Sequence, residues 1–141
     1  MSDTMRATAH QVSSYRHSIR VRDHELGVDE PLDHGGEDSA PSPQELLAAS
    51  LASCTAVTVE MYAARKRWDL TGVEVAVEYT PAERGCPTRF EVVLRLPEGT
   101  DPEHAERLRV IAAKCPVHRT LDGEVMFAER VEFGKPRVGA A

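Results

Sequence analysis

Cysteine is scarce in this sequence: three in 141 residues, at Cys54, Cys86 and Cys115. An odd, scattered set excludes a disulfide framework. With no CxxC, no HExxH and no paired Cys/His spacing, a zinc ribbon or finger is excluded as well. What remains is reactive or sensing thiols, or plain core filling. GxGxxG, GxxxxGK(S/T) and GxSxG are also missing, which removes the usual sequence grounds for a dinucleotide, P-loop or serine-hydrolase site. Aromatic residues make up only 5% and the net charge is −6, with no basic stripe interleaved with aromatics, so no nucleic-acid partner is expected. No apolar run approaches the ~18 residues that a bilayer span requires, and no membrane partner is expected. The opening "MSDTMRATAHQ" lacks the apolar core of a signal peptide. The expected location is therefore the cytoplasm, where thiols are kept reduced.

What is present is an ordinary globular balance, 41% apolar and 28% charged. The length suits a single domain over residues 1–141, with 1–5 and 134–141 expected to fray. Two or three short strands are expected over residues 6–29. There Ile19 and Val21 alternate with Ser18, Arg20 and Arg22, and Asp23-His24 is placed at a turn. Arg16, Arg20 and Arg22 share one parity and so one strand face. The Pro-, Gly- and Asp-rich stretch "PLDHGGEDSAPSP" is a loop.

A long helix should start at Ser42, which pairs with Glu45 in a capping-box pattern, and run to about Arg67. Leu47, Ser50, Leu51, Cys54, Thr58, Met61 and Tyr62 would form its apolar-leaning stripe. Residues 73–79 and 89–96 alternate with period two and read as paired strands, with Cys86 incidental in the loop between them. "DPEHAERLRVIAAK" is an amphipathic helix whose buried face would be Ala105, Leu108, Ile111 and Ala112. Cys115 stands at its exit, because Pro116 cannot continue it. "EVMFAERVEF" would be a last strand. Without regular βαβ alternation, the fold class is α+β with a largely antiparallel sheet.

Two segments together, "GGEDSAPSPQELLAASLASCTAVTVEMYAARKRW" and "IAAKCPVHRTL", resemble the OsmC/Ohr family of thiol-dependent peroxidases. The likeness runs from about residue 16 to 131. It implies an OsmC-like fold, mostly antiparallel sheets packed on a long central helix, and an intertwined homodimer with two sites at the subunit interface. It also implies that Cys54 is the peroxide-attacking thiol, that Cys115 is the resolving thiol, and that an N-terminal arginine keeps Cys54 as thiolate. Arg16 and Arg20 are both eligible for that role, with Arg20 preferred. In the organic-peroxide branch a glutamate near the helix start pairs with the arginine. Here Gln44 holds that position and the carboxylate comes next, at Glu45, about 100° further round the helix.

The catalytic set expected is thus Cys54, Cys115, Arg20 and Glu45, with no metal or organic cofactor. The partners would be a small-molecule hydroperoxide, a dithiol reductant and a second copy of the chain. A free thiol has a pKa near 8.5, and an apolar helix stripe raises it, so a fixed cation beside Cys54 is required. His118, close to Cys115, is eligible as a proton donor. The alternative reading is a redox-responsive or small-molecule-binding protein on the same scaffold, with little peroxidase turnover.

Overall fold

A computed structural model describes residues 4–134. Most of the termini expected to fray, residues 1–3 and 135–141, lie outside that range. The element order is β1 (Thr8–Ser13), β2 (Arg16–Val21), β3 (His24–Val28), a single 3-10 turn (Leu32–His34), α1 (Pro43–Lys66), β4 (Glu74–Thr80), β5 (Arg89–Arg95), α2 (Pro102–Ala112) and α3 (Pro116–Leu121). The expected α+β class holds. Strands β1, β2 and β3 form one antiparallel sheet in chain order, and β4 pairs with β5 in a second.

The long helix begins where its local chemistry dictates. The Ser42 hydroxyl accepts the Glu45 N–H at 3.2 Å, and a Glu45 carboxylate oxygen accepts the Ser42 N–H at 2.9 Å. Pro43 follows in the first turn, where its missing N–H leaves no bond unmade. The other end closes at Arg67, which adopts a left-handed φ of 62°. The buried side of α1 differs from the expected stripe. Leu51, Thr55, Val59 and Ala63 are the buried residues, whereas Ser50 is exposed and Met61 is 63% exposed. The helix is rich in Ala, Ser and Thr on all sides, so periodicity marks no single face strongly; the partners available decide which face is covered. Those partners are Leu108, Ile111 and Ala112 of α2, with Leu70, and Leu94 and Leu96 of β5 and its exit at the margin. Val59 and Leu108 are fully buried, each worth about 1.5–3 kcal/mol in transfer terms.

By length and composition α1 is apolar enough to cross a membrane, with an 18-residue window of mean hydropathy 1.4, against the expectation that no segment approaches a span. The core helix of a folded domain meets the same test, and α1 holds that place here, carrying β4 and both shorter helices.

Three further expectations are corrected. Residues 124–133 form no strand and are exposed throughout, with Phe127 at 83% and Phe133 at 96%. Alternation specifies a strand only where a neighbouring edge accepts its backbone bonds, and among the described residues this segment has no such edge. Pro116 does not simply end a helix; it opens α3 as the first helical residue, with Cys115 as the N-cap. The first turn also moves by one residue. Arg22, with φ 54°, and Asp23 make the turn, and His24 begins β3. Arg22 therefore leaves the strand face that Arg16 and Arg20 share.

The loop after β3 is held by a buried carboxylate. Asp29, 2% exposed, accepts the N–H of Glu30 at 2.7 Å, the N–H of Ser39 at 3.1 Å and the Ser39 hydroxyl at 2.6 Å. The Ser39 hydroxyl foremost, with these backbone donors, holds the Asp29 carboxyl below its usual range. A lowered pKa in the folded state means stability present above the unfolded value, near 3.9, and lost as pH falls through the folded one. Asp29→Asn should therefore lower the melting temperature at neutral pH, with the gap to the unsubstituted chain narrowing as pH drops below about 4. A gap that stays constant from neutral to strongly acid pH would exclude this role.

Candidate functional site

Three elements bring the two cysteines of interest together. Cys54 sits mid-way along α1 and is part-exposed; Cys115, at the cap of α3, is fully buried. Cys115 Sγ accepts the backbone N–H of His118 at 3.2 Å, the usual bond of an N-cap side chain, here made by sulfur. The Thr55 hydroxyl points at the same sulfur from α1, at 3.8 Å. The two thiols also act on each other's titration: Cys115 raises the pKa of Cys54, and Cys54 lowers that of Cys115.

The balance of forces on the two sulfurs differs. Burial foremost pushes Cys54 up; the Val117 N–H pulls it down, and the neighbouring Cys115 adds to the upward push. Burial also pushes Cys115 up, but the His118 N–H, Cys54, Thr55 and the Val117 N–H together outweigh it, and its net shift is downward. None of the strongest influences on Cys54 is a cation.

The two eligible arginines have separate fates. Arg16 crosses the neighbouring strand over Gly27, where any Cβ would stand 2.9 Å from its Nη2. Its Nη1 donates to the Ser39 carbonyl at 3.0 Å and to the Ser39 hydroxyl at 2.7 Å, so it locks the same loop that Asp29 holds. Arg20 lies on the same face of β2, opposite Glu25 and Thr8, and is exposed. Glu45 is engaged in the capping box. It stands nine residues before Cys54, about 13 Å up the helix axis, so α1 alone does not bring the two together. Gln44 is exposed at the helix start.

Beside Thr55 and His118 lie two clefts that meet at His118 and Val92, and neither cysteine lines them. One, of about 670 Å³, runs between β5 and α2 and reaches Thr55; the other, of about 530 Å³, lies against Leu47, Leu51 and Phe90. Apolar side chains dominate both, and the half-buried His118 stands at their junction. Cys86 is exposed in the β4–β5 connection, where Glu83 and Cys86 exchange backbone hydrogen bonds, and takes no part. Among the described residues no group of three or more His, Cys, Asp or Glu could hold a metal ion. Sequence reasoning missed Thr55. Its signal was the four-residue ladder Leu51, Thr55, Val59, Ala63, with one hydroxyl in an otherwise apolar series.

No curated protein matches the chain at a significant level. Solved structures do. An OsmC-like protein from Mycoplasma pneumoniae superimposes with a TM-score of 0.73 at 17% identity, covering 87% of this chain and 90% of that one. An organic hydroperoxide resistance protein OsmC from Legionella pneumophila gives 0.65 at 25% identity, over 86% and 90%. The organic hydroperoxide resistance protein OhrB of Bacillus subtilis gives 0.59 at 22%, over 86% and 92%. The family model described as OsmC-like protein matches residues 36–129, a span that takes in the capped helix, both thiols and α3. On that match and that fold, the chain belongs to the OsmC family.

Proposed function

We propose that this chain is a thiol-dependent peroxidase that reduces organic hydroperoxides through Cys54, resolved by Cys115. The observation that carries the reading is a pair of thiols near enough to shift each other's titration and unequal in access, one part-exposed and one fully buried. The greater exposure of Cys54 supports its acting first, with the buried Cys115 second. The Cys54 thiolate attacks the outer oxygen of the O–O bond. The bond breaks, an alcohol leaves with a proton, and Cys54 becomes a sulfenic acid. Cys115 then displaces the sulfenic hydroxyl as water and forms the disulfide, which a cellular dithiol reopens by exchange. The largely apolar cleft that reaches Thr55, the neighbour of Cys54 in the chain, favours an organic substrate over hydrogen peroxide. Names of similar proteins, organic hydroperoxide resistance proteins among them, support the same substrate class.

The thiolate needs a cation, and among the described residues none stands with the strongest influences on Cys54. In our reading two copies pair and Arg20 is supplied across the interface. Support comes from surfaces one chain leaves uncovered: Val57 and Met61 on α1, Val12, Tyr15 and Leu26 on the first sheet, and the apolar residues of 124–133. A cytoplasmic location, where a dithiol reductant is at hand, belongs to the same reading. The test is steady-state consumption of an organic hydroperoxide with a dithiol reductant. Sustained turnover supports the peroxidase; a single stoichiometric oxidation overturns it. Arg20→Ala should move the pH midpoint of Cys54 alkylation upward by about one unit or more. An unmoved midpoint removes Arg20 from the site.

A further inference from the structure

Among the described residues three polar ones are buried: Asp29, Ser42 and Thr55. The first holds a loop and the second caps α1, so both have structural employment. Thr55, 1% exposed, has one side-chain hydrogen bond among the described residues, and it goes to Cys115 Sγ at 3.8 Å. A helical threonine commonly turns its hydroxyl back to a carbonyl of the preceding turn. Here the hydroxyl is aimed instead across to α3, at the sulfur already accepting the His118 N–H. Packing alone does not ask for a hydroxyl between Leu51 and Val59, where valine has nearly the same shape.

We propose that Thr55 is a positioning residue for the disulfide-forming step: its O–H, with the His118 N–H, fixes the Cys115 sulfur toward Cys54. In that step a lone pair of the Cys115 thiolate attacks the sulfenic sulfur of Cys54 and the S–O bond breaks. The departing hydroxide takes up a proton and leaves as water. Cys115 is oxidised as the sulfenic sulfur is reduced, so no further oxidant enters. A donor at the Cys115 sulfur steadies its charge before attack and holds its direction. The titratable groups around it are Cys54 on α1, His118 on α3, and Glu106 and Arg109 of α2 on the cleft wall, the last two paired with each other at 2.7 Å; β5 contributes only apolar residues to that wall.

The proposal deepens the peroxidase reading and rests on Cys115 as resolver, so its test has one arm free of peroxide. In a Cys54→Ser, Cys86→Ser background Cys115 is the sole thiol, and its ionisation is followed by ultraviolet thiolate absorbance against pH. Thr55→Val should move the midpoint up by about 0.5–1 pH unit, and Thr55→Ser should leave it in place. With both active-site thiols present, Thr55→Val should slow conversion of the Cys54 sulfenic acid to disulfide about 3–10-fold near neutral pH, with the serine variant recovering the rate. Should the valine variant fail to fold, Thr55→Ala takes its place against serine. Equal midpoints for valine and threonine, or a serine variant as impaired as valine, overturn the role of the hydroxyl. If no disulfide ever forms between Cys54 and Cys115, the peroxidase reading falls, while the titration still decides whether Thr55 acts on the Cys115 sulfur.

Discussion

Cys54→Ser should reduce dithiol-supported hydroperoxide consumption at least about a hundredfold, because no other thiol in the structure combines access with a resolving partner. Cys86 is exposed but lies in the β4–β5 connection with no cysteine beside it, and Cys115 is closed to solvent. The companion variant, Cys115→Ser, should behave differently. One equivalent of peroxide is consumed, then the cycle stops with sulfenic acid on Cys54, detectable by a sulfenic-acid trap. The contrast matters more than either loss. A Cys54→Ser protein that still turns over, or a Cys115→Ser protein that recycles at full rate, removes the proposed division of labour between the two sulfurs.

Gly36→Ala should be the most damaging single methyl in the loop after β3. A Cβ there would stand 1.9 Å from the Glu30 carbonyl oxygen and 2.5 Å from its carbon, both backbone atoms. No side chain can swing aside to make room. Gly36 is buried and donates its N–H to the Pro31 carbonyl at 3.0 Å, while Asp38 donates to the Glu30 carbonyl at 3.0 Å. Relieving the clash therefore breaks the bonds that close the loop. A cost of about 2–4 kcal/mol follows, or a fall of roughly 10 °C in melting temperature for a chain of this size. The same loop is gripped by Asp29 and Arg16, so the variant should also loosen the start of α1 at Ser42. A melting temperature within a degree or two of the parent would mean the loop has another packing open to it.

Features set by neighbours in the chain were legible in the sequence. The capping box at Ser42 and Glu45, Pro43 beside it and the period-two runs of β4 and β5 all depend on residues a few positions apart, and the structure places them as expected. The motifs around Cys54 and Cys115 are local too, and the family match spans both. Features set by distant contacts were not legible. Which side of α1 is buried depends on Leu108 and Ile111 arriving from α2. That Arg16 is taken by Ser39 could not be read from a strand pattern shared equally with Arg20. Proline carries two opposite meanings, stop and start. At Pro116 the following "VHRTL" was too short to show a period, so α3 stayed hidden. The last alternating run failed for the converse reason, since a strand is a property of a pair and the sequence shows only one member.

The sulfur of Cys115 also holds the first turn of a short helix. In the proposed disulfide the Cys115 sulfur would lose part of its capacity as an acceptor, and α3 would then begin with a weakened cap. Pro116 to Leu121 is only six residues long, too short to sustain itself by its own backbone bonds. Under the proposed chemistry the oxidation state of one atom pair would be coupled to the winding of a peptide segment, and a reductant would meet an altered contour as well as a new covalent link.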